Sequence, residues 1–210
     1  MIDLYTWTTP NGRKASIMLE EIGLPYKVHA IDISKDEQFA PDFLKIAPNN
    51  RIPAIVDSDT GISLMESGAI LIYLAVKTGK LLPKSGNERY KVIEWLMWQM
   101  GGPGPMLGQV HHFVKYNPGK APYAEERYLK EAARLYKVLN TQLEGKDFIC
   151  GDYSIADIAT WPWISRFEWQ TMDLNQYPNV KRWYLKVAER PAVKKGYAVP
   201  KDMGPIPMPA

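Results

Sequence analysis

The sequence predicts an α/β domain followed by an all-α domain. Three observations carry that prediction. Over the first eighty residues, short apolar segments of strand length alternate with segments of helical period. Beyond residue 87 only helical periods remain. Six of the seven tryptophans lie after residue 90, so the aromatic load is concentrated in the second part. The boundaries expected are a sheet domain at 1–80, a linker at 81–87, helices at 88–199 and a proline-rich tail at 200–210.

Ile2–Tyr5 opens the chain as a strand. The turn Thr8-Thr9-Pro10-Asn11-Gly12 feeds a helix expected over 11–22, with Ala15, Met18, Leu19 and Ile22 on one face and Gly23 as its stop. A second strand is expected over 28–33, and a short helix over 39–46, closed by Pro48. Strands follow at 53–57 and 62–65, joined by Ser58-Asp59-Thr60-Gly61, a turn-forming cluster. Ser67–Thr78 reads as an apolar helix stopped by Gly79. This order, β-α-β, α, β-β-α, describes a four-stranded mixed sheet with helices on its faces.

The second part begins with a helix over 88–100 that is apolar almost all round, which predicts deep burial. Gly101-Gly102-Pro103-Gly104-Pro105 should break or kink it. Helix is expected again over 106–114, and a long one over 122–144 with Tyr128, Ala132, Leu135, Leu139 and Leu143 inward. Another runs over 154–172 with an interruption at Pro162, and a shorter one over 180–189. Four prolines between 200 and 209 mark the tail as a surface-packed or mobile segment.

Bulk numbers limit the function classes. The 210 residues are 46% apolar and 23% charged, an ordinary globular mixture, and the net charge of +3 gives no argument for nucleic acid. No run reaches the roughly 18–20 apolar residues that span a bilayer, and no signal peptide is apparent. One cysteine cannot form an intrachain disulfide, which fits a reducing cytoplasm. The three histidines have no metal-ligand spacing; His111 and His112 are adjacent and diverge on a helix. No metal cofactor is expected.

Several short motifs have both a plain and a functional reading. Ser154-Ile155-Ala156-Asp157 is a capping box, a structural device. Ile52-Pro53 precedes a strand, and spacing alone predicts an ordinary trans strand-entry proline. A cis bond there would instead turn the Ile52 backbone groups outward to pair with an extended peptide. Glu66-Ser67 sits at a strand-to-helix junction. It is either a cap or a place where the helix N-terminus takes a carboxylate and Glu66 a neighbouring ammonium. Thr9 and Asn11 are turn formers that can also donate to a thiolate and lower its pKa. Cys150, after Phe148-Ile149, reads as an inert, partly buried thiol.

Together these features resemble the glutathione transferase family over nearly the whole chain. Ile52-Pro53, Glu66-Ser67, the Ser154–Asp157 box, Tyr177-Pro178-x-Val180-x-x-Trp183 and Arg190-Pro191-Ala192 carry the likeness. Three further motifs are similar to the bacterial nu class, the glutathione-dependent disulfide-bond reductases: Thr9-Pro10-Asn11-Gly12-x-Lys14, Pro48-Asn49-Asn50-x-Ile52-Pro53 and Gly104-Pro105-Met106-x-Gly108-Gln109-x-x-His112-Phe113. The resemblance implies a thioredoxin-like first domain, a helical bundle second domain and a homodimer. It also places Asn11, Gln38, Ile52, Pro53, Glu66, Ser67 and Arg127 on glutathione-contacting positions, and Thr9 and Asn11 where the sulfur lies. The chain departs from transferases that activate the thiol with Tyr, Ser or Cys, because residue 9 is threonine.

The expected activity is therefore disulfide reduction by bound glutathione, with the ligand supplying the reactive sulfur and a small disulfide or glutathione disulfide as its partner. Conjugation of glutathione to an apolar electrophile is the alternative enzyme, and a non-catalytic glutathione-binding module is the alternative outside enzymes.

Overall fold

The chain as described by a computed structural model, residues 1–210, falls into two units: residues 1–84 with 189–206, and residues 85–188 with 207–210. In the first unit the strands β1 (Ile2–Thr6), β2 (Tyr26–Ala30), β3 (Ala54–Asp57) and β4 (Ile62–Met65) form one sheet of order β2-β1-β3-β4. β2 runs parallel to β1, while β3 is antiparallel to both β1 and β4. Ile2 and Leu4 point to one face and are fully buried. Tyr5 points to the other and meets Phe43 at 6.2 Å between ring centroids. That alternation of β1 requires helices on both sides of the sheet.

The helices of this unit are α1 (Pro10–Ile22), α2 (Pro41–Ile46), α3 (Ser67–Thr78) and α9 (Pro191–Tyr197), the last named for its place in the chain. α1 starts as expected for a proline at the first helical turn and ends at Gly23, whose φ of +72° suits glycine. β2 begins two residues earlier than expected and stops at Ala30, because Asp32 caps a 3-10 turn at Ile33–Lys35. The helix expected from residue 39 is a 3-10 turn, Glu37–Phe39, followed by α2.

The domain boundary differs from the expected 88–199 helical block. Residues 189–206 fold with the sheet unit, because α9 packs on α1. Gly196 makes the contact possible: a Cβ there would lie 2.6 Å from the backbone of Ile17. Ser16 donates to the Gly196 carbonyl at 2.7 Å, and Arg13 donates to the Tyr197 carbonyl at 3.2 Å with its guanidinium over the Tyr197 ring. Arg190 forks onto Glu21 at 2.6 and 2.8 Å.

The second unit is helical: α4 (Asn87–Gly101), α5 (Pro103–Val110), π-helical turns at His111–Tyr116, α6 (Pro122–Gln142), α7 (Ile155–Ile164) and α8 (Pro178–Ala188). The break after α4 falls at Gly102, where a Cβ would crowd the Trp98 carbonyl at 2.9 Å. α7 runs through Pro162 without stopping and ends at Ser165, a departure from the expected interruption. The capping box is formed as read, and Asp157 does more than cap. It accepts from the Ser154 and Ile149 backbone N–H groups and from Trp183 Nε1 at 2.8 Å. Burial nevertheless pushes its carboxyl up to about 6. α4 is not deeply buried within the chain: Val92, Leu96 and Gln99 are inside, while Tyr90 and Met97 are exposed. The tail packs, since Tyr184 Oη donates to the Pro207 carbonyl at 2.6 Å and Lys181 to that of Ala210.

Candidate functional site

Strand direction brings most of the sequence-singled residues to one end of the sheet. The pairs Thr6–Ala30, Tyr5–Ala54 and Ala54–Met65 put the ends of β1, β2 and β4 beside the start of β3. The segments that follow or precede those ends are the turn 7–11, the loop carrying Gln38, Ile52-Pro53 and Glu66-Ser67. Residues forty to sixty apart in the chain thus share one edge by topology alone.

Thr9 is the N-cap of α1. Its Oγ1 accepts from the Gly12 backbone N–H at 3.1 Å, with φ −87° and ψ 161°. Acceptance fixes the oxygen and leaves the hydroxyl hydrogen to donate elsewhere. Gly12 is required by proximity, because a Cβ would lie 2.1 Å from the Trp7 carbonyl oxygen. Asn11, in the first turn of α1, is half-buried.

Ile52-Pro53 is cis, which corrects the trans reading taken from spacing. Spacing misleads here because isomer choice belongs to the tertiary surroundings. Ile52 packs with Phe43, Ala47 and Ala54, and Trp7 and Met65 border the same cluster. The backbone N–H and C=O of Ile52 take no hydrogen bond within the chain. Gln38 lies in the 3-10 turn after β2; its Nε2 is 3.5 Å from Asp36 Oδ1, and its buried Oε1 has no partner in the chain.

Ser67 opens α3 and is buried, whereas Glu66 precedes it and is exposed. Glu66 holds φ +71° and ψ 111°, a left-handed conformation that costs an L residue roughly 1–3 kcal/mol. The α3 N-terminus directs its free N–H groups and positive dipole end toward this sheet edge.

One residue was missed by sequence reasoning. Lys14 of α1 is 1% exposed, and its Nζ donates to Ser67 Oγ at 3.3 Å. Burial pulls its ammonium down to about 7, with the nearby Glu66 charge opposing the shift. The signal was legible: Lys14 shares a stripe with Ile17, Met18 and Ile22, at helical spacings of three, four and eight. The spacing hinted at an inward position, and the packing around α1, which buries Gly12 to Leu19 on nearly every face, completed it.

Arg127 belongs to the helical unit, on α6. With Met106, Tyr123, Tyr128, Lys130 and Arg134 it lines a cavity of about 530 Å³. Arg134 is paired with Glu131 and Lys130 with Glu126, and the charge of Arg127 adds to that of Arg134 in holding the Glu131 carboxyl low. Cys150 lies in the same unit. Its thiol meets the Lys91 carbonyl at 3.6 Å, and burial pushes its pKa up to about 12. A thiol held protonated in this way is a poor nucleophile. No group of three or more His, Cys, Asp or Glu side chains is placed to hold a metal, and no helix is long and apolar enough to cross a membrane.

Comparison with known proteins agrees with this layout. The family model "Glutathione S-transferase, N-terminal domain" matches residues 1–76, and "Glutathione S-transferase, C-terminal domain" matches 105–191. The disulfide-bond oxidoreductase YfcG of Escherichia coli (strain K12) is 52% identical over 198 residues, covering 91% of this chain and 92% of that one. A glutathione transferase from Pseudomonas putida, solved with one glutathione disulfide per subunit, superposes with a TM-score of 0.89 at 43% identity, covering 95% and 91% of the two chains. A family member from Pseudomonas fluorescens pf-5 with two bound glutathiones gives 0.86 at 46% identity, covering 93% and 92%.

Proposed function

The chain belongs to the glutathione transferase family, and on that premise we propose that it is a glutathione-dependent disulfide reductase in which the bound tripeptide supplies the reactive thiol. The observation that carries this reading is the sheet edge itself. A donor hydroxyl at a helix start, an unpaired backbone at Ile52 beside the start of β3 and a helix N-terminus at Ser67 are what a tripeptide thiol requires.

The roles follow from the chemistry of each group. The cysteinyl backbone of glutathione pairs with Ile52 N–H and C=O beside Pro53, as a strand adds to a sheet. The γ-glutamyl carboxylate meets Ser67 and the α3 N-terminus, and its ammonium meets Glu66. Gln38 Oε1 accepts a ligand N–H. Thr9 and Asn11 donate to the sulfur and favour the thiolate. Arg127 binds a glutathione carboxylate.

The thiolate attacks one sulfur of the disulfide in line. A new S–S bond forms, the old one breaks, and the departing thiolate takes a proton. A second glutathione thiolate then attacks the mixed disulfide, so two glutathiones yield glutathione disulfide and two substrate thiols. The protein contributes orientation and electrostatics.

The reading includes nu-class membership, a cytoplasmic setting and a two-fold homodimer. The exposed Tyr90 and Met97 of α4, beside the Trp95–Trp98 edge contact at 4.9 Å, support the dimer. Light scattering should give about twice the chain mass of 23.9 kDa. The deciding assay compares 2-hydroxyethyl disulfide with 1-chloro-2,4-dinitrobenzene, each with glutathione. Fast turnover of the disulfide alone is expected. Turnover of the electrophile alone would make the protein a conjugase, and turnover of neither a binding module.

A further inference from the structure

A buried polar network lies inside the helical unit, on residues that the proposed reaction does not use. Gln170 is fully buried in the 3-10 turn Phe167–Gln170 that follows α7, and both ends of its amide are engaged. Its Oε1 accepts from Tyr136 Oη at 2.6 Å. Its Nε2 donates to the Trp163 carbonyl at 2.9 Å and lies 3.2 Å from His111 Nε2. A carbonyl only accepts, so the amide nitrogen must face Trp163, and its second N–H goes to the imidazole. His111 Nε2 is therefore the acceptor, and the ring hydrogen sits on Nδ1. Burial and the nearby Arg166 charge favour this neutral form, pulling the imidazole down to about 4. The ring is also stacked on Trp163 at 5.6 Å and in edge contact with Trp169 at 5.5 Å between centroids.

What this network holds is the first residue of the π-helical turns His111–Tyr116. A π-turn carries one residue more than an α-turn, so Phe113 does not face where an uninterrupted α5 would have aimed it. The far end of the segment is pinned as well: Asn117 Nδ2 donates to the His112 carbonyl at 3.0 Å, and Tyr116 meets the edge of Trp169 at 5.9 Å. Between the two anchors, Phe113 lies parallel to Tyr128, 5.5 Å apart and 11° between planes. Tyr128 follows Arg127 on α6, and both line the cavity of the helical unit. A continuous path of contacts thus runs from the buried amide through the imidazole and the π-turn to the cavity wall. Apolar side chains would fill this core at lower desolvation cost, whereas an amide and an imidazole that must meet head to head specify one register.

We propose that His111, held by Gln170, is a positioning residue for this cavity: it fixes the π-helical register that sets Phe113 against Tyr128, and so keeps the wall beside Arg127 in its binding shape. The inference rests on reading Arg127 as a contact of glutathione. His111 touches no ligand in this scheme. It acts by sparing the ligand the ordering of the wall, which is a contribution to affinity and not to the sulfur chemistry. Its loss should therefore appear in KM and leave kcat nearly alone.

The test uses the full chain with glutathione and 2-hydroxyethyl disulfide. His111→Phe keeps a ring between Trp163 and Trp169 but offers no acceptor, so a buried Gln170 N–H is left unpaired. It should raise the KM for glutathione roughly tenfold and change kcat by less than about twofold. His111→Gln, whose amide oxygen reaches the place of the imidazole Nε2, should bring KM back to within about threefold of wild type. In a Phe113→Ala background His111→Phe should add less than about twofold, because the ring through which it acts is gone. A folded His111→Phe with wild-type KM overturns the inference, and so do fully additive effects of His111→Phe and Phe113→Ala. Where His111→Phe does not fold, Phe113→Ala alone decides: a raised KM with kcat kept supports the inference, and an unchanged KM overturns it. Calorimetric titration of the wild-type chain separates the two levels. No glutathione binding there overturns the glutathione reading, and this inference with it, whereas binding that is indifferent to His111 and Phe113 overturns this inference alone.

Discussion

Substitution of Thr9 separates two functions carried by one oxygen. In the folded chain Thr9 Oγ1 caps α1 by accepting from Gly12 at 3.1 Å, and in the proposed reaction its hydrogen goes to the ligand thiolate. Thr9→Ala removes both. Loss of the cap should cost ~1 kcal/mol of stability, which for a chain of this size lowers Tm by about 2–4 °C. Loss of a donor to a charged sulfur is worth ~1.5–3 kcal/mol, or roughly ten- to 150-fold in kcat/KM at pH 7. Thr9→Ser should restore both quantities. Thr9→Asp should restore stability, because aspartate caps as well as threonine, yet remain at least as inactive as alanine. It cannot donate, and its charge opposes the thiolate. Thermal melts and glutathione-driven reduction of 2-hydroxyethyl disulfide, monitored from pH 6.5 to about 9, provide the two axes. The Thr9→Ala deficit should shrink as pH approaches ~8.5, where solvent supplies the thiolate. A Thr9→Ala protein that melts early but keeps full activity at pH 7 would show that the hydroxyl is a helix cap and nothing more.

Arg127→Ala should raise the KM for glutathione about ten- to hundredfold through loss of a charge-assisted pair, and an unchanged KM in a folded variant removes Arg127 from the site. Cys150→Ala should keep disulfide-reductase activity within a few-fold, because the half-buried thiol is held protonated; a loss on the order of a hundredfold would overturn the ligand-thiol mechanism. Asp57, fully buried at the end of β3, is raised by burial but brought down to about 2 by hydrogen bonds from Lys77 and Tyr73. Its lowered folded-state value adds stability that is present above pH ~4 and lost as pH falls toward 2. Asp57→Asn should therefore cost about 2 kcal/mol in denaturant unfolding at pH 7, and the gap from wild type should close near pH 2. A gap that stays constant across this range would assign the loss to packing.

Local chemistry in the sequence determined where most elements begin and end. Thr9-Pro10 starts α1 and Gly23 stops it because cap acceptor, fixed proline φ and left-handed glycine act within one turn. The Ser154–Asp157 box closes as read for the same reason: both partners lie three residues apart. The mixed sheet was legible from segment order, and with it the edge where Thr9, Asn11, Ile52, Glu66 and Ser67 gather. Other features were decided by groups far apart in sequence. The Ile52-Pro53 isomer is set within the packing of Phe43, Ala47 and Ala54, and α9 joins the sheet unit because Gly196 admits the backbone of Ile17 across almost the whole chain. Lys14 belongs with these. Its spacing from Ile17, Met18 and Ile22 hinted at an inward position, but α1 is covered on nearly every face from Gly12 to Leu19, and only the folding of α3 against α1 put Ser67 and Glu66 beside Lys14. Burial of this charge was decided by what packs around the helix, and its partner comes from an element about fifty residues away.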